Sequence, residues 1–401
     1  MANFSKIFNE HLSTVNYCEI VHKGLSCKQH MLRSHLYSTL STFKFLIPAL
    51  LLPVIPKIPI LTKEKLKQLL WDYISCSIGC SLVAAVGVDL CCLMRILLGR
   101  NYLYTMCFLP AFFGAFFVHL IKQPVFQVTL NYMYQGVVDI FLRRNNVVSK
   151  TISSSKSIQT IIFMLCSTLI LHGKRLYGMR GFWLITPNRP NTAEDNDIEN
   201  SKKHCNLHSN ISCGNYLWKG VRKYFFAGLT LDCLSAIRKA ALLKTKWNGI
   251  KKFRMYWAMK FSLYHGLYTS THCFLNRINA APDMINHTLA SCCAGLSYYF
   301  FPQIGLLSYA IVLGFEALWE MFRDHKAVTK FYILKICINF FYNFLLFPLA
   351  CGYSSHVYVM QPRFCSPVGV FILNQASNNY IAKISNLVQQ IIKDVKHLNK
   401  D

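Results

Sequence analysis

Apolar positions in this chain come in long blocks, and short basic stretches separate one block from the next. A helix that crosses a bilayer needs about 20 mostly apolar residues. Blocks of this kind cover 36–55, 70–98, 102–121, 124–142, 158–172, 216–241, 253–275, 284–301, 303–322 and 331–351. Pro48 and Pro53 interrupt the first block, which fits a kinked span, a re-entrant segment or an interfacial one. The pattern predicts an all-α, multi-pass transmembrane helical bundle with about 8–10 membrane segments.

The same pattern divides the chain into five parts. They are an N-terminal Cys/His-containing region (1–35), a first membrane repeat (36–172), a polar connector (173–215), a second membrane repeat (216–351) and a C-terminal tail (352–401). Apolar and charged residues alternate at helical spacing over 378–399, which predicts an amphipathic helix lying on a surface.

Internal similarity indicates that the two membrane repeats are duplicated halves. A shift of 181 residues aligns three pairs without a gap: Cys92 with Cys273, Gly114 with Gly295, and Asp139 with Glu320. The short motif HKGLSC (22–27) recurs as HSNISC (208–213) at a shift of 186. A length change of five residues therefore separates the motifs from the apolar blocks. Repeats of this size are typical of multi-pass membrane proteins.

Composition supports a membrane protein. Hydrophobic residues make up 53% and charged residues 15% of the chain, so few charges are available to cover a water-facing surface. The net charge is +26, and the basic residues cluster between apolar runs, as at membrane borders. This distribution favours a lipid partner and excludes nucleic acid as the expected one. Many of the 17 cysteines lie inside apolar runs, which indicates reduced thiols in an intracellular membrane.

The recurring cysteine–histidine motif is the candidate for metal binding. The residues concerned are Cys18, His22 and Cys27 in the first copy, and Cys205, His208 and Cys213 in the second. Thiolate and imidazole are the ligands that zinc prefers, although strong zinc signatures place two cysteines two to four residues apart. The alternative is a packing motif inherited through duplication, with buried thiols. Both readings stay open at the level of the sequence.

Ionisable residues inside the apolar runs are candidates for a polar pathway, because a charge within a bilayer costs several kcal/mol. They are Asp89, Arg95, Asp139, Lys260, His265, Glu316 and Glu320. Satisfied interhelical hydrogen bonds explain the same residues equally well. Asp139 lies near a helix end, where it can reach Arg143. Glu316 lies deeper in its run and is the better functional candidate.

No catalytic residues and no cofactor are expected, because the chain carries no phosphate-binding loop, dinucleotide fingerprint, HExxH or GxSxG motif. Three stretches resemble a known family: NYCEIVHKGLSC (16–27), CNLHSNISC (205–213) and the run THCFLNRINAAPDMINHTLASCCAGLSYYFFPQIGLLSYAIVLGFEALWEMF (271–322). They are similar to the transmembrane protein 135 family, also called the peroxisomal membrane protein 52 family. The last run resembles the part of that family that is distantly related to the Tim17/Tim22/Tim23 translocases.

The resemblance implies a multi-pass protein of peroxisome and mitochondrion membranes that affects the mitochondrial fission–fusion balance, peroxisome organisation and lipid homeostasis. The leading hypothesis is therefore a non-enzymatic organelle-membrane protein. Its expected partners are the lipid bilayer and a fission dynamin or other organelle-dynamics proteins. Two alternatives remain: a membrane carrier or channel for a lipid-related or small solute, and a Tim17-like translocase scaffold.

Overall fold

The structure is a computed structural model, and it describes residues 8–14, 22, 24–47, 62–121, 125–144, 146–179, 181–187, 208, 211–243, 253–278, 283–323, 336 and 340–398. Every regular element within these ranges is helical. The all-α expectation is therefore confirmed for the described part of the chain.

Helices in the first half follow the predicted blocks with shifted ends. They are α1 (Cys27–Leu46), α2 (Lys63–Leu98), α3 (Phe108–Gly114), α4 (Val125–Arg143), α5 (Val147–Ser154) and α6 (Lys156–Leu176). A 3₁₀ segment, Ala115–Leu120, continues α3. The predicted run 102–121 is thus not one continuous α-helix, because its first residues form turns and its last six tighten into 3₁₀ geometry. The prolines of run 36–55 lie outside the described residues.

Helices in the second half are α7 (Cys213–Leu243), α8 (Tyr256–Ile278), α9 (Asp283–Gly295), α10 (Ser297–Phe300) and α11 (Ile304–Arg323). The C-terminal part contains α12 (Leu346–Met360), α13 (Pro367–Ala376) and α14 (Tyr380–Leu398), with short π and 3₁₀ turns at Phe8–Leu12, Phe341–Leu345 and Pro362–Phe364. Most of the connector between α6 and α7 lies outside the described residues.

Three of the described helices are long and apolar enough to cross a membrane: α2, α6 and α11. Helix α2 has 36 residues, which corresponds to about 54 Å and exceeds the roughly 30 Å hydrocarbon core of a bilayer. Thr62 caps its first turn, and Gly99 ends it in the left-handed conformation that glycine tolerates. The tail helix α14 is amphipathic as predicted, and it buries Ile384 and Val388 in a hydrophobic core with Val88 and Val359.

Contacts divide the chain into two compact units whose borders differ from the predicted repeats. Unit 1 contains α1–α4 and α12–α14, whereas unit 2 contains α5–α11. Helix α6, predicted in the first repeat, packs against α9 and α11 of unit 2. Helix α12, which crosses the predicted border between the second repeat and the tail, packs against α3 and α4 of unit 1. The last helix of the first repeat therefore lies in unit 2, and a helix that begins at the end of the second repeat lies in unit 1.

Each unit contains an antiparallel helix pair, α1 with α2 in unit 1 and α7 with α8 in unit 2. In unit 2 the two backbones approach so closely at Gly228 that an added Cβ would lie 2.5 Å from the Trp257 carbonyl oxygen. Glycine is required there because the obstacle is backbone and cannot rotate away. These helix pairs carry the candidate site residues described next.

Candidate metal centres

The first candidate centre, called cluster 1, consists of His22, Cys27 and Cys92 in unit 1. Ser26 caps α1: its hydroxyl accepts from the Gln29 N–H, and its own N–H donates to the Gln29 side chain. This capping box fixes Cys27 as the first residue of the helix. Cys92 lies near the end of the partner helix α2, so the hairpin brings the two thiols together.

Distances within cluster 1 are short. The His22 Nε2 atom lies 3.7 Å from the Cys27 sulfur and 3.8 Å from the Cys92 sulfur. All three possible ligand atoms lie within 4.8 Å of one another. The other ring nitrogen, Nδ1, lies 3.1 Å from the Leu25 carbonyl oxygen, to which it donates. That bond places the proton on Nδ1 and leaves the Nε2 lone pair facing both thiols.

A second ring supports the His22 imidazole. His30, one turn into α1, stacks on His22 with ring centroids 4.5 Å apart, and Tyr380 contacts the His30 ring edge-on. Burial, and secondarily the nearby His22 and Lys383, lower the pKa of His30 to about 4. His30 is therefore neutral at physiological pH and adds no positive charge next to the cluster.

The second candidate centre, called cluster 2, consists of His208, Cys213 and Cys273 in unit 2. Cys213 is the first residue of α7, and the Ser212 hydroxyl accepts from the Asn215 N–H at that helix start. Cys273 lies on the partner helix α8, with its sulfur 3.7 Å from His208 Nε2. The His208 ring stacks on the ring of Tyr216 at 4.8 Å. Cluster 2 thus repeats cluster 1 in ligands, helix start and stacked ring.

The two cysteines of each cluster differ in position. Cys27 and Cys213 each begin a helix, whereas Cys92 and Cys273 are almost fully buried. A buried thiolate is costly without a countercharge, and a cation that binds both sulfurs would supply one.

Cys18 and Cys205, the remaining predicted ligands, lie outside the described residues, and their membership stays a prediction. The sequence motifs miss Cys92 and Cys273, because each lies more than 50 residues from its motif and is embedded in an apolar run. A signal was present nonetheless: these two cysteines align with each other at the shift of 181.

Two of the three predicted polar residues of unit 1, Asp89 and Asp139, are engaged in local or interhelical contacts. Asp89 on α2 accepts from the Ser34 hydroxyl at 3.0 Å and pairs with His35 Nε2 at 2.7 Å, so it joins α2 to α1. Asp139 lies 3.6 Å from Arg143, the contact that the sequence suggests. Arg95 is half-buried on α2, and none of these groups joins cluster 1.

The predicted polar residues of unit 2 are also dispersed. Lys260 is fully buried, donates to the Phe301 carbonyl oxygen at 2.8 Å and lies 5.0 Å from the centroid of the Tyr298 ring. His265 stacks on Tyr224 at 4.5 Å.

The acidic pair on α11 does not form a common site with these residues. Glu320 pairs with Arg323, one turn further along the helix. Glu316 is half-buried and interacts electrostatically with Lys174. The structure therefore brings His22 together with Cys27, and His208 together with Cys213, and leaves the intramembrane candidates apart.

Comparisons of the chain with family models, with curated proteins and with solved structures give no match. In the residues that the structure describes, the fold is helical, three helices are long and apolar enough to cross a membrane, and a His/Cys/Cys arrangement occurs twice.

Proposed function

We propose that this chain is a non-enzymatic, multi-pass organelle membrane protein built from two duplicated halves, and that it regulates mitochondrial fission–fusion balance and peroxisome organisation in connection with lipid homeostasis. The single observation that carries the membrane part is the surface of α2. The process and the organelles rest on the resemblance of 16–27, 205–213 and 271–322 to the transmembrane protein 135 family.

The surface of α2 exposes large apolar side chains in two segments, 66–78 and 93–98. Ile96 is 62% exposed and Leu97 69% exposed, and Trp71 near the other end is 56% exposed. Exposed apolar surface of this kind is unfavourable in water and favourable against lipid tails. Lys63, Lys65 and Lys67 at the helix start fit the basic border of a bilayer.

Duplication is supported by the matching order of elements. Each half contains a Cys/His motif, a helix that starts at its cysteine, and a partner helix that supplies a second cysteine. Helix α6 packs against α9 and α11, and helix α12 packs against α3 and α4, which align with α9 and α11 at the shift of 181. This matching set of neighbours supports a common origin of the two halves.

The carrier alternative is less supported by the residues suggested for it. Lys260 has a backbone carbonyl partner and aromatic neighbours, as expected of a structural lysine. A flux assay with purified protein in liposomes tests this alternative directly: transport of lipid or small solute above that of empty vesicles would replace the regulatory proposal.

The experiment that tests the proposal places the full-length tagged chain in cells. We expect peroxisomal and mitochondrial location, resistance to alkaline extraction and a change in mitochondrial length when the chain is overproduced or removed. Affinity capture is expected to recover a fission dynamin or another organelle-dynamics protein. Alkaline release would contradict the membrane part. The proposed role in mitochondrial and peroxisomal organisation would be contradicted by location in the secretory pathway. It would also be contradicted if the organelles were unchanged and no organelle-dynamics protein were captured.

A further inference from the structure

We propose that each half of this chain binds one zinc ion, through His22, Cys27 and Cys92 in cluster 1 and through His208, Cys213 and Cys273 in cluster 2. The inference concerns a site that the proposed function does not require, so either proposal can fail without the other.

The interatomic distances fit a shared tetrahedral ion. Zinc binds thiolate sulfur at about 2.3 Å and imidazole nitrogen at about 2.0–2.1 Å, which places sulfur and nitrogen about 3.6 Å apart around a tetrahedral centre. The observed sulfur–nitrogen distances are 3.7 and 3.8 Å in cluster 1 and 3.7 Å in cluster 2. All three possible ligand atoms of each cluster lie within 4.8 Å of one another.

The histidine nitrogen is common to both close contacts of cluster 1. The Nε2 atom of a neutral imidazole has one lone pair in the ring plane. Two sulfurs approach that atom, from Cys27 and from Cys92. A cation located between the three atoms would coordinate both sulfurs and the nitrogen at once.

The surroundings of His22 match those of a metal-binding histidine. Such histidines usually donate their second ring N–H to a carbonyl or carboxylate, which fixes the tautomer and the ring orientation. His22 Nδ1 makes this bond with the Leu25 carbonyl oxygen. The stacked ring of His30 holds the imidazole plane from the other side.

Comparison of the two copies indicates which residues the site requires. At a shift of 186, the motifs share His22 with His208, Ser26 with Ser212, and Cys27 with Cys213, whereas the following 19 positions (28–46 and 214–232) share no identical residue. At a shift of 181, 88–96 and 269–277 share only the cysteine, Cys92 with Cys273. The helices have diverged around a retained ligand set, which packing by itself does not explain.

A structural role follows from where the ligands lie. In each unit, one cysteine begins the first helix, the second cysteine lies on the partner helix, and the histidine precedes both. An ion bound at that point would cross-link the hairpin and fix the preceding segment to it. Because thiolates and neutral imidazole are needed, binding would release protons and stabilise the folded hairpin.

The test counts metal in the full-length protein purified under reducing conditions without added chelator. We expect two zinc ions per chain, one in Cys92→Ser or Cys273→Ser and none in the double variant. The matched controls are Cys91→Ser and Cys293→Ser, which change a neighbouring or nearby cysteine outside the clusters and are expected to retain two ions.

A second measurement does not depend on whether a variant folds. Replacement of the bound metal in the unchanged chain by Co²⁺ is expected to produce thiolate-to-cobalt charge-transfer absorption that titrates to two equivalents. Absence of zinc in the unchanged chain, equal loss in ligand and control variants, or a Cys27–Cys92 disulfide found by mass spectrometry would each overturn the proposal. Preferential retention of copper(I) over zinc would also overturn the assignment of the metal.

Discussion

The helix pair α1–α2 of unit 1 and the pair α7–α8 of unit 2 carry the same three ligands, but each pair is held together differently. In unit 1, a carboxylate on the second helix, Asp89, binds the Ser34 and His35 side chains of the first. In unit 2, a carboxylate on the first helix, Asp232, accepts from the backbone N–H groups of Trp257 and Ala258 at the start of the second. The ligand geometry is common to both pairs, whereas the means of joining the helices has changed.

A difference in spacing accompanies the difference in contacts. The two cysteine ligands are 65 residues apart in unit 1 (92 − 27) and 60 in unit 2 (273 − 213). The five extra residues fall between the ligands, and both units still bring the three atoms within 4.8 Å. The helix pair therefore accommodates a difference of five residues between its two cysteine ligands without separating them in space.

Removal of the metal is expected to cause the largest loss of stability, and this loss should occur in both units. Structural zinc contributes roughly 10 kcal/mol or more to small metal-dependent folds. We expect a strong zinc chelator to lower the melting temperature of the purified chain by tens of degrees, as measured by thermal unfolding in detergent. The double variant Cys92→Ser/Cys273→Ser should melt at the lowered temperature and show no further response to the chelator. An equal response in that variant would mean that the chelator acts elsewhere.

The Gly228→Ala variant is expected to show the next largest loss of stability. This loss should arise in unit 2 and have no counterpart in unit 1. The new Cβ would meet the Trp257 carbonyl oxygen and the Ala258 backbone, so the helices of unit 2 must move apart, at a cost of about 3 kcal/mol. The position in α1 that corresponds to Gly228 is Thr42, so unit 1 has no such requirement. Denaturant unfolding measures the loss. Gly136→Ala in α4 is the control, since nothing lies within 4 Å of its added Cβ, and a similar loss there would invalidate the explanation.

Asp232→Ala sharpens the comparison of the two carboxylates. It leaves two backbone N–H groups at the start of α8 without their acceptor, which costs about 1–3 kcal/mol. Asp89→Ala should cost less, because the Ser34 and His35 side chains can rotate towards other partners, whereas backbone groups cannot. Measured free energies of unfolding of the two variants check which substitution costs more. Asp232→Asn is an isosteric control, and its loss of stability should lie between those of Asp232→Ala and the unchanged chain. A larger loss for Asp89→Ala would reverse the interpretation.

The smallest expected effect is an acid-dependent step in unit 2. Asp283 pairs with His272 Nε2 at 3.0 Å and with Arg175, and these partners hold the pKa of its carboxyl well below the usual value. A depressed carboxyl pKa contributes stability that is present above about pH 4 and lost as the pH falls below it.

Because the Asp283 side chain is 40% exposed, solvent screening limits the contribution to about 1 kcal/mol or less. Unfolding measured between pH 5 and pH 3, as the difference between the unchanged chain and Asp283→Asn, should show a steeper loss in the unchanged chain. Parallel curves would remove Asp283 as the cause.

Much of the helical pattern is predictable from sequence, because apolar periodicity and caps are local signals. The apolar blocks predict α4 and α11 to within a few residues. Helices α1 and α7 begin at Cys27 and Cys213, before the predicted blocks at 36 and 216, where the Ser26 and Ser212 side chains accept from the first turn. The division of run 102–121 into turns, α3 and 3₁₀ geometry is not predictable, because it depends on packing against α2 rather than on local composition.

The sequence predicts two of the three residues in each of clusters 1 and 2. His22 and Cys27 form a short motif, and so do His208 and Cys213. The third ligand comes from a distant helix, and a cysteine within an apolar run has the same appearance in sequence whether it packs or binds. Only the folded hairpin distinguishes Cys92 from its neighbour Cys91, whose sulfur donates to the Gly87 carbonyl instead.

The position of α12 also has a consequence for the order in which the protein is made. Helices α1–α4 leave the ribosome about 200 residues before α12, which packs on α3 and α4. At about 5–20 residues per second, the newly made N-terminal helices wait on the order of 10–40 s for that neighbour. Throughout this interval an apolar surface on α3 and α4 is accessible to lipid or to the membrane insertion machinery, and premature chain termination before Leu346 would leave it permanently uncovered.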